Sequence, residues 1–388
     1  MSKFFEKLYR MNPDLQLNLL LNKRFALRSL LSNKKHHVSE ESIPKEDVTP
    51  EKEPTIRSKI AIIAKQIVAN PDIILNDTYD ALTKTSDWSS LEDKVVLEDG
   101  NIISIDARSR PGHKILDNHM PHFWDVRNHK GISVRSLFTQ ENIEKALITN
   151  LHMHSTPYKS EIRRMVTMTG GLGNVTKYRT VTSKAIAQFF GAYRVFDPCV
   201  GWGGRMLGCL SANDDIVYIG CEPDIKTYQG LVNILDDTAI PESVRDRAKI
   251  YNEPVEDVLV RMNDDDLYDM ILTSPPYFNL EQYTSGEQSI IKYKTWDEWV
   301  DKWLKVVILG CLNHLYEGGV SCWNVKNFRT NKKYPLEDVV TKIHKDAGWE
   351  LVKRVGMESS GRMGGNRIKG KIETRKALEE TLCYKKSA

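Results

Sequence analysis

Cysteine is scarce and one-sided in this 388-residue chain. All six (Cys199, Cys209, Cys221, Cys311, Cys322 and Cys383) fall in the second half, and none forms a Cys-x-x-Cys pair. That excludes a disulfide framework or a zinc knuckle and points to reduced core thiols, as in a cytoplasmic protein. Net charge is also low, at +3, so the chain is no polycation. Any nucleic-acid surface has to come from local clustering. No apolar run approaches the length needed to cross a bilayer. The opening stretch MSKFFEKLYR carries charges throughout, against a secretory signal, and there are no internal repeats. What remains is ordinary for a globular protein: 40% hydrophobic and 28% charged residues, with length for two or three domains.

The two halves read differently. Residues 1–33 carry leucines at helical spacing (LQLNLLLNKRFALRSLL), and 34–56 are polar, charged and interrupted by prolines, as in a flexible linker. Residues 57–175 read as an accessory domain, for target recognition or partner docking, with a helical IRSKIAIIAKQIVAN. Within it VVLEDGNIISID predicts a hairpin turning at Asp99-Gly100. From 176 to 388, short apolar runs (YRVFDP, IVYIGCEP, AKIYN, YDMILTSPP, GGVSCWNVK, WELVKRVGM, ETLCYKK) alternate with helical patterns such as TWDEWVDKWLKVVILGCLNHLYE. Such alternation predicts an α/β fold, a doubly wound, mostly parallel sheet, beside a mostly helical N-terminal region.

Three strand ends carry the chemistry. FDPCVGWGGRMLG is a glycine turn in which Gly201 and Gly203 let the backbone approach a ligand; it is not the dinucleotide fingerprint Gly-x-Gly-x-x-Gly. About twenty residues on, Glu222 closes the next run, where an acid can accept both hydroxyls of a ribose; a helix N-cap or a surface acid is the alternative. Among the acids of IYNEPVEDV, Glu253 is the choice for an adenine amino group, a solvated loop acid being the alternative. Asp197, next to Pro198 and upstream of Trp202, would take an amino-acid ammonium. A nucleoside joined to an amino acid describes S-adenosylmethionine. In LTSPPY, Pro275 and Pro276 end the strand stiffly, so that Ser274 and Tyr277 stand at fixed places on the sheet's C-terminal edge.

FDPCVGWGGR, CEPD and TSPPY, in this order, resemble the class I methyltransferases that modify exocyclic amino groups of DNA bases, over roughly residues 175–388. The resemblance implies a seven-stranded Rossmann-like methyltransferase sheet whose last strand, ETLCYKK, is antiparallel. It implies S-adenosylmethionine at the glycine turn and a target base flipped onto the Ser-Pro-Pro-Tyr loop. There the Ser274 hydroxyl and Pro275 carbonyl would accept the two amine hydrogens and Tyr277 would stack on the base. Serine at the first loop position tilts the target to cytosine-N4 over adenine-N6; RNA-base or protein methylation and a non-catalytic DNA-binding protein are the alternatives. Where the family carries a Phe-x-Pro segment this chain has KYRTVTSKAIAQFF, so Thr180 and Thr182 stand in as hydroxyl donors to the methionine carboxylate.

The partner implied is DNA, with a restriction partner left open. Two locally basic stretches suit phosphate contact: residues 156–184 (Lys159, Arg163, Arg164, Lys177, Arg179, Lys184), where a solvated face is the alternative, and SSGRMGGNRIKGKIETRK before the last strand. The histidines at 113, 119, 122, 129, 152 and 154 match no metal-ligand spacing, and no metal is expected.

Overall fold

A computed structural model describes Lys7 and residues 53–387, apart from 107, 154–155, 173–175, 264, 285, 287 and 359–376. The helix expected over 1–33, most of the linker 34–56, and the Gly/Arg-rich stretch before the last strand lie outside the described residues. The linker's last residues already belong to the helix Glu53–Ala69.

The chain forms two compact units, Met1–Asp77 with Trp124–Val175, and Thr78–Phe123 with Thr176–Ala388. This corrects the expected accessory domain 57–175, because residues 78–123 join the sheet-bearing unit. The first unit is helical. Helices Glu53–Ala69, Gln140–His152 and Lys159–Thr169 meet through Ile60, Ile63, Ile67, Ile143, Leu147, Ile162 and Met165, all buried. Thr139 caps the second of them by accepting from the Asn142 amide. Arg163 is buried against Asp77 at 2.6 Å and donates to the Ile74 carbonyl.

The second unit is built on one sheet of seven strands: β1 Arg194–Asp197, β2 Val217–Cys221, β3 Ala248–Tyr251, β4 Tyr268–Thr273, β5 Leu315–Asn324, β6 Trp349–Glu358 and β7 Ala377–Lys386. Their order is β6-β7-β5-β4-β1-β2-β3. Neighbours are parallel except β7, which runs antiparallel to both β5 and β6. This is the doubly wound sheet that the alternating runs predict, with ETLCYKK as the reversed strand.

Successive strand residues feed opposite faces. Val195, Tyr218, Met270 and Leu272 enter one core, and Phe196, Ile219 and Ile271 enter the other. Both faces are covered, which is why the strands read as unbroken apolar runs. Helices α1 Ala81–Glu92, α2 His113–His119 and α3 Thr180–Phe190 share the first core through Trp88, Leu91, Ile115, Leu116, Val181 and Ala185. That shared core explains why 78–123 leaves the expected accessory domain. The hairpin forms as read, Leu97–Glu98 against Asn101–Ile102, with Asp99 and Gly100 at φ of 48° and 75°, the left-handed pair of a type I′ turn. Among the described residues no helix is long and apolar enough to cross a membrane.

Candidate active site

Parallel strands end on the same rim. Here β1, β2, β4 and β5 bring Asp197, Glu222, Ser274 and Asn324 to one edge, and the order reverses between β1 and β4. A crevice outside the strand ends at such a reversal is the general ligand position of open α/β sheets.

The glycine turn leads from β1 into helix α4, Gly204–Leu210. Gly201 and Gly203 hold φ of 58° and 80°, a region disfavoured for residues with a Cβ. A Cβ on Gly201 would meet nothing closer than the Cys199 carbonyl at 4.0 Å, so space lies open beside this residue. Gly204 answers a different need, since a Cβ there would strike the Tyr178 carbonyl. The segment before α3 is thus pressed against the turn.

Glu222 follows β2 directly and lies beside the glycine turn. Its Oε2 accepts from the Gly201 amide and its Oε1 from the Asp224 amide, each at 3.0 Å. It is buried, and burial pushes its carboxyl up to about 7, against the pull of those two amides. Asn252 holds the Glu222 carbonyl at 2.9 Å from the next strand end. An open cradle at Gly201 and a buried carboxylate beside it fit the adenosyl part of S-adenosylmethionine. Glu253, expected to meet an adenine, pairs instead with Arg261 at 2.7 Å with both side chains substantially exposed. Trp202 stands among His122, Phe123 and Tyr283, with ring centroids at 5.2, 5.2 and 6.4 Å. The sequence joins none of these three neighbours to the glycine turn, because no local pattern connects them to it.

Asp197 is a correction. Expected to hold a ligand ammonium, it is wholly buried and already accepts from Arg205 Nε at 2.7 Å, the Tyr218 hydroxyl at 2.6 Å, Thr273 Oγ1 at 2.7 Å and the Cys199 amide at 3.1 Å. Arg205 also donates to the Cys199 and Val200 carbonyls, so it braces the turn while neutralising the acid. Pro198, beside it, is buried within the turn.

Ser274 follows β4 directly and is half-buried; its Oγ lies 3.4 Å from the Asn324 carbonyl at the end of β5. A serine donating there turns its lone pairs elsewhere, which makes it an acceptor. Pro275 is buried and Pro276 half-buried, so the exit from the strand is firmly held. Tyr277 departs from expectation: it is 4% exposed and packs on Phe328 with centroids 5.5 Å apart. In this arrangement its ring is engaged in the core, and base stacking does not fall to it. Phe278, Trp296, Trp299 and Tyr334 extend the same aromatic cluster under the loop.

Thr182 lies in the first turn of α3, 4% exposed, and its Oγ1 meets no partner among the described residues; Thr180 donates to the Pro111 carbonyl at 2.6 Å. Most cations of the basic stretch 156–184 are satisfied within the protein, although Arg164 stays exposed. Arg163, Arg164 and Lys177 pair with Asp77, Glu161 and Asp117, and Lys184, 2% exposed, donates to the Leu91 and Glu92 carbonyls at the end of α1. His119 pairs with Asp237 and His122 meets Thr227, while His113 is buried and held neutral, pushed down to about 3 by burial.

The sequence matches no family model and no curated protein. Among solved structures it is similar to a proposed rRNA methylase from Clostridium thermocellum, at 15% identity over 55% of this chain and 100% of that one, with a TM-score of 0.36. The glycopeptide N-methyltransferase MtfA complexed with S-adenosyl-L-methionine aligns at 10% identity over 55% of this chain and 90% of its own, TM-score 0.36. TrmN from Thermus thermophilus aligns at 16% identity over 54% of this chain and 49% of its own, TM-score 0.34. The strand order and the reversed β7 define the fold independently of these likenesses.

Proposed function

We propose that this chain is a methyltransferase that uses S-adenosylmethionine to methylate an exocyclic amino group of a DNA base, cytosine-N4 ahead of adenine-N6. The observation that supports this reading is Ser274, a half-buried hydroxyl directly after β4 that lies 3.4 Å from the Asn324 carbonyl at the sheet rim. When bound, the cofactor supplies an electrophilic sulfonium methyl group.

An exocyclic amine is a poor nucleophile, because its lone pair is delocalised into the ring. Ser274 Oγ and the Pro275 carbonyl would accept its two hydrogens, draw the nitrogen toward a tetrahedral geometry and orient the lone pair toward the donor methyl, whose S–C bond would be exchanged for the N–C bond while the nitrogen's surplus proton leaves to solvent. The paired prolines preorganise both acceptors, so little rearrangement is needed during reaction. Glu222 holds the ribose hydroxyls beside the glycine turn, and Thr182, a buried hydroxyl with no partner among the described residues, is available to the methionine carboxylate. A base inside a duplex has to be extruded to reach this rim.

The test is incubation with methyl-labelled cofactor and DNA, RNA or protein, followed by digestion of labelled DNA to nucleosides and mass spectrometry. Label in N4-methylcytosine is the expected outcome, and N6-methyladenine corrects the base. Label confined to RNA or protein replaces the substrate, and no label in any of them removes the reading.

A further inference from the structure

Of the six cations in the basic stretch, Arg179 is the one that meets neither a carboxylate nor a carbonyl among the described residues. It caps the start of α3, next to Tyr178, whose carbonyl touches the glycine turn. Its environment is positive. The charged groups that act on it are Arg110, which opposes its charge, and Asp117, which favours it; Asp117 is already paired with Lys177 at 2.6 Å. His113 is in the same neighbourhood, feeling Asp117, Arg179, Arg110 and Lys177, and it is neutral. Three cations therefore face one carboxylate. Arg110 is exposed and Arg179 half-buried, and burial together with Arg110 brings Arg179 down to about 10, still charged at neutral pH.

Thr180 Oγ1 donating to the Pro111 carbonyl seats the two segments side by side, so their neighbours Arg179 and Arg110 concentrate positive charge at one place, which a bound anion would offset. The place is built on rigid elements: Thr180 donates to Pro111, Gly112 lies against Leu91, and Leu116 from the same segment closes on Gly203. His113, three residues after Arg110, is 3% exposed, and its Nε2 has no partner among the described residues. A single sealed arginine would suit a lone carboxylate. A pair running from half-buried to exposed suits a strand whose successive phosphates continue into solvent.

We infer that Arg110 and Arg179 form a phosphate-binding site beside the glycine turn that holds the backbone of the nucleic-acid substrate. This rests on the methyltransferase reading above. Planar guanidiniums donate in pairs to the two non-bridging oxygens of a phosphodiester, which positions the strand without reading its sequence.

The experiment titrates the full-length protein with a fluorescent duplex across a range of potassium chloride concentrations, for wild type, Arg110→Gln and Arg179→Gln. S-adenosylmethionine affinity is measured in parallel by calorimetry. Each variant is expected to flatten the slope of log affinity against log salt by about 0.9, roughly a three- to fourfold smaller loss of affinity between 50 and 200 mM salt. Arg179→Lys restores the slope, and cofactor affinity stays within about twofold in all of them. Arg110 is at the surface, so its variant keeps the test open if the Arg179 change impairs folding. Unchanged slopes in a wild type that binds and methylates DNA overturn this site and leave the proposed function standing. A fall in cofactor affinity with unchanged slopes also overturns it, and reassigns the pair to the methionine carboxylate. A wild type that binds no nucleic acid overturns both.

Discussion

Thr273 Oγ1 donates to Asp197 Oδ1 over 2.7 Å, and both residues are fully buried. Thr273 is the last residue of β4, immediately before Ser274, and Asp197 is the last of β1, immediately before the glycine turn. The same carboxylate takes Arg205 from α4 and Tyr218 from β2. One buried acid thus ties the candidate cofactor turn to the candidate substrate loop across the point where the strand order reverses.

Removing that acid leaves Arg205 charged and unpaired in the core. Asp197→Asn is expected to cost roughly 3–5 kcal/mol of stability, the usual penalty for breaking a buried pair from one side. Thr273→Val removes one hydrogen bond and costs less, about 1–3 kcal/mol. Urea denaturation of the two variants checks the order; equal losses would contradict the hub.

Ser274→Ala deletes an acceptor at the rim without disturbing the buried Pro275 or the half-buried Pro276 beside it. On the proposed mechanism kcat falls by on the order of 10²–10³, comparable to losing one preorganised polar group at a reacting centre. Cofactor affinity, measured by calorimetry, stays unchanged. Loss of both together would assign Ser274 to the fold.

Glu222 gives a pH signature. Its carboxyl is raised to about 7 by burial, and a ribose diol needs the ionised form as acceptor. S-adenosylmethionine should bind more tightly as pH rises through 7, and weaken by about tenfold per unit well below it. The stability of the free protein runs the other way. The folded state holds this proton up to about 7 and the unfolded chain releases it near 4.5, so the Glu222 contribution is full below 4.5 and lost as pH rises to 7. Glu222→Gln flattens both profiles, which calorimetry and thermal melts against pH measure.

Tyr277→Ala separates packing from base stacking. With the ring 4% exposed against Phe328, truncation is expected to cost about 3–5 kcal/mol, as for other buried aromatics. A variant of native stability that has lost methylation would return the ring to the substrate.

Gly204→Ala places a methyl group against the Tyr178 carbonyl, a backbone atom that cannot swing aside. Overpacking of this kind costs about 1–3 kcal/mol. The displaced Tyr178 also carries the hydroxyl that meets Thr381 at 2.8 Å, so the melting temperature and the Thr381 amide exchange should both respond.

The strands, the hairpin at Asp99-Gly100, the glycine turn, Glu222 and the Ser-Pro-Pro exit were legible because each is a local pattern. Period-2 burial, positive φ and the missing proline amide are written within a few residues of one another. Three readings were not legible for a shared reason. Asp197 looks like any rim acid until Arg205, Tyr218 and Thr273 are seen to converge on it. Tyr277 looks like a substrate platform until Phe328 lies on its ring. The cations of 156–184 look like a basic face until Asp77, Asp117 and the end of α1 take three of them.

The sequence by itself determined the kind of sheet and marked three strand ends as candidates for chemistry, since backbone geometry and hydrophobic period act over short distances; the reversed last strand was implied by the resemblance of its motifs. Only the tertiary structure decided which charged and aromatic side chains are satisfied inside the protein. It also decided that residues 78–123 belong with the sheet. A charge or a hydroxyl is satisfied by whatever lies within a few ångströms of it, and such neighbours can be 203 residues apart along the chain, as Tyr178 and Thr381 are.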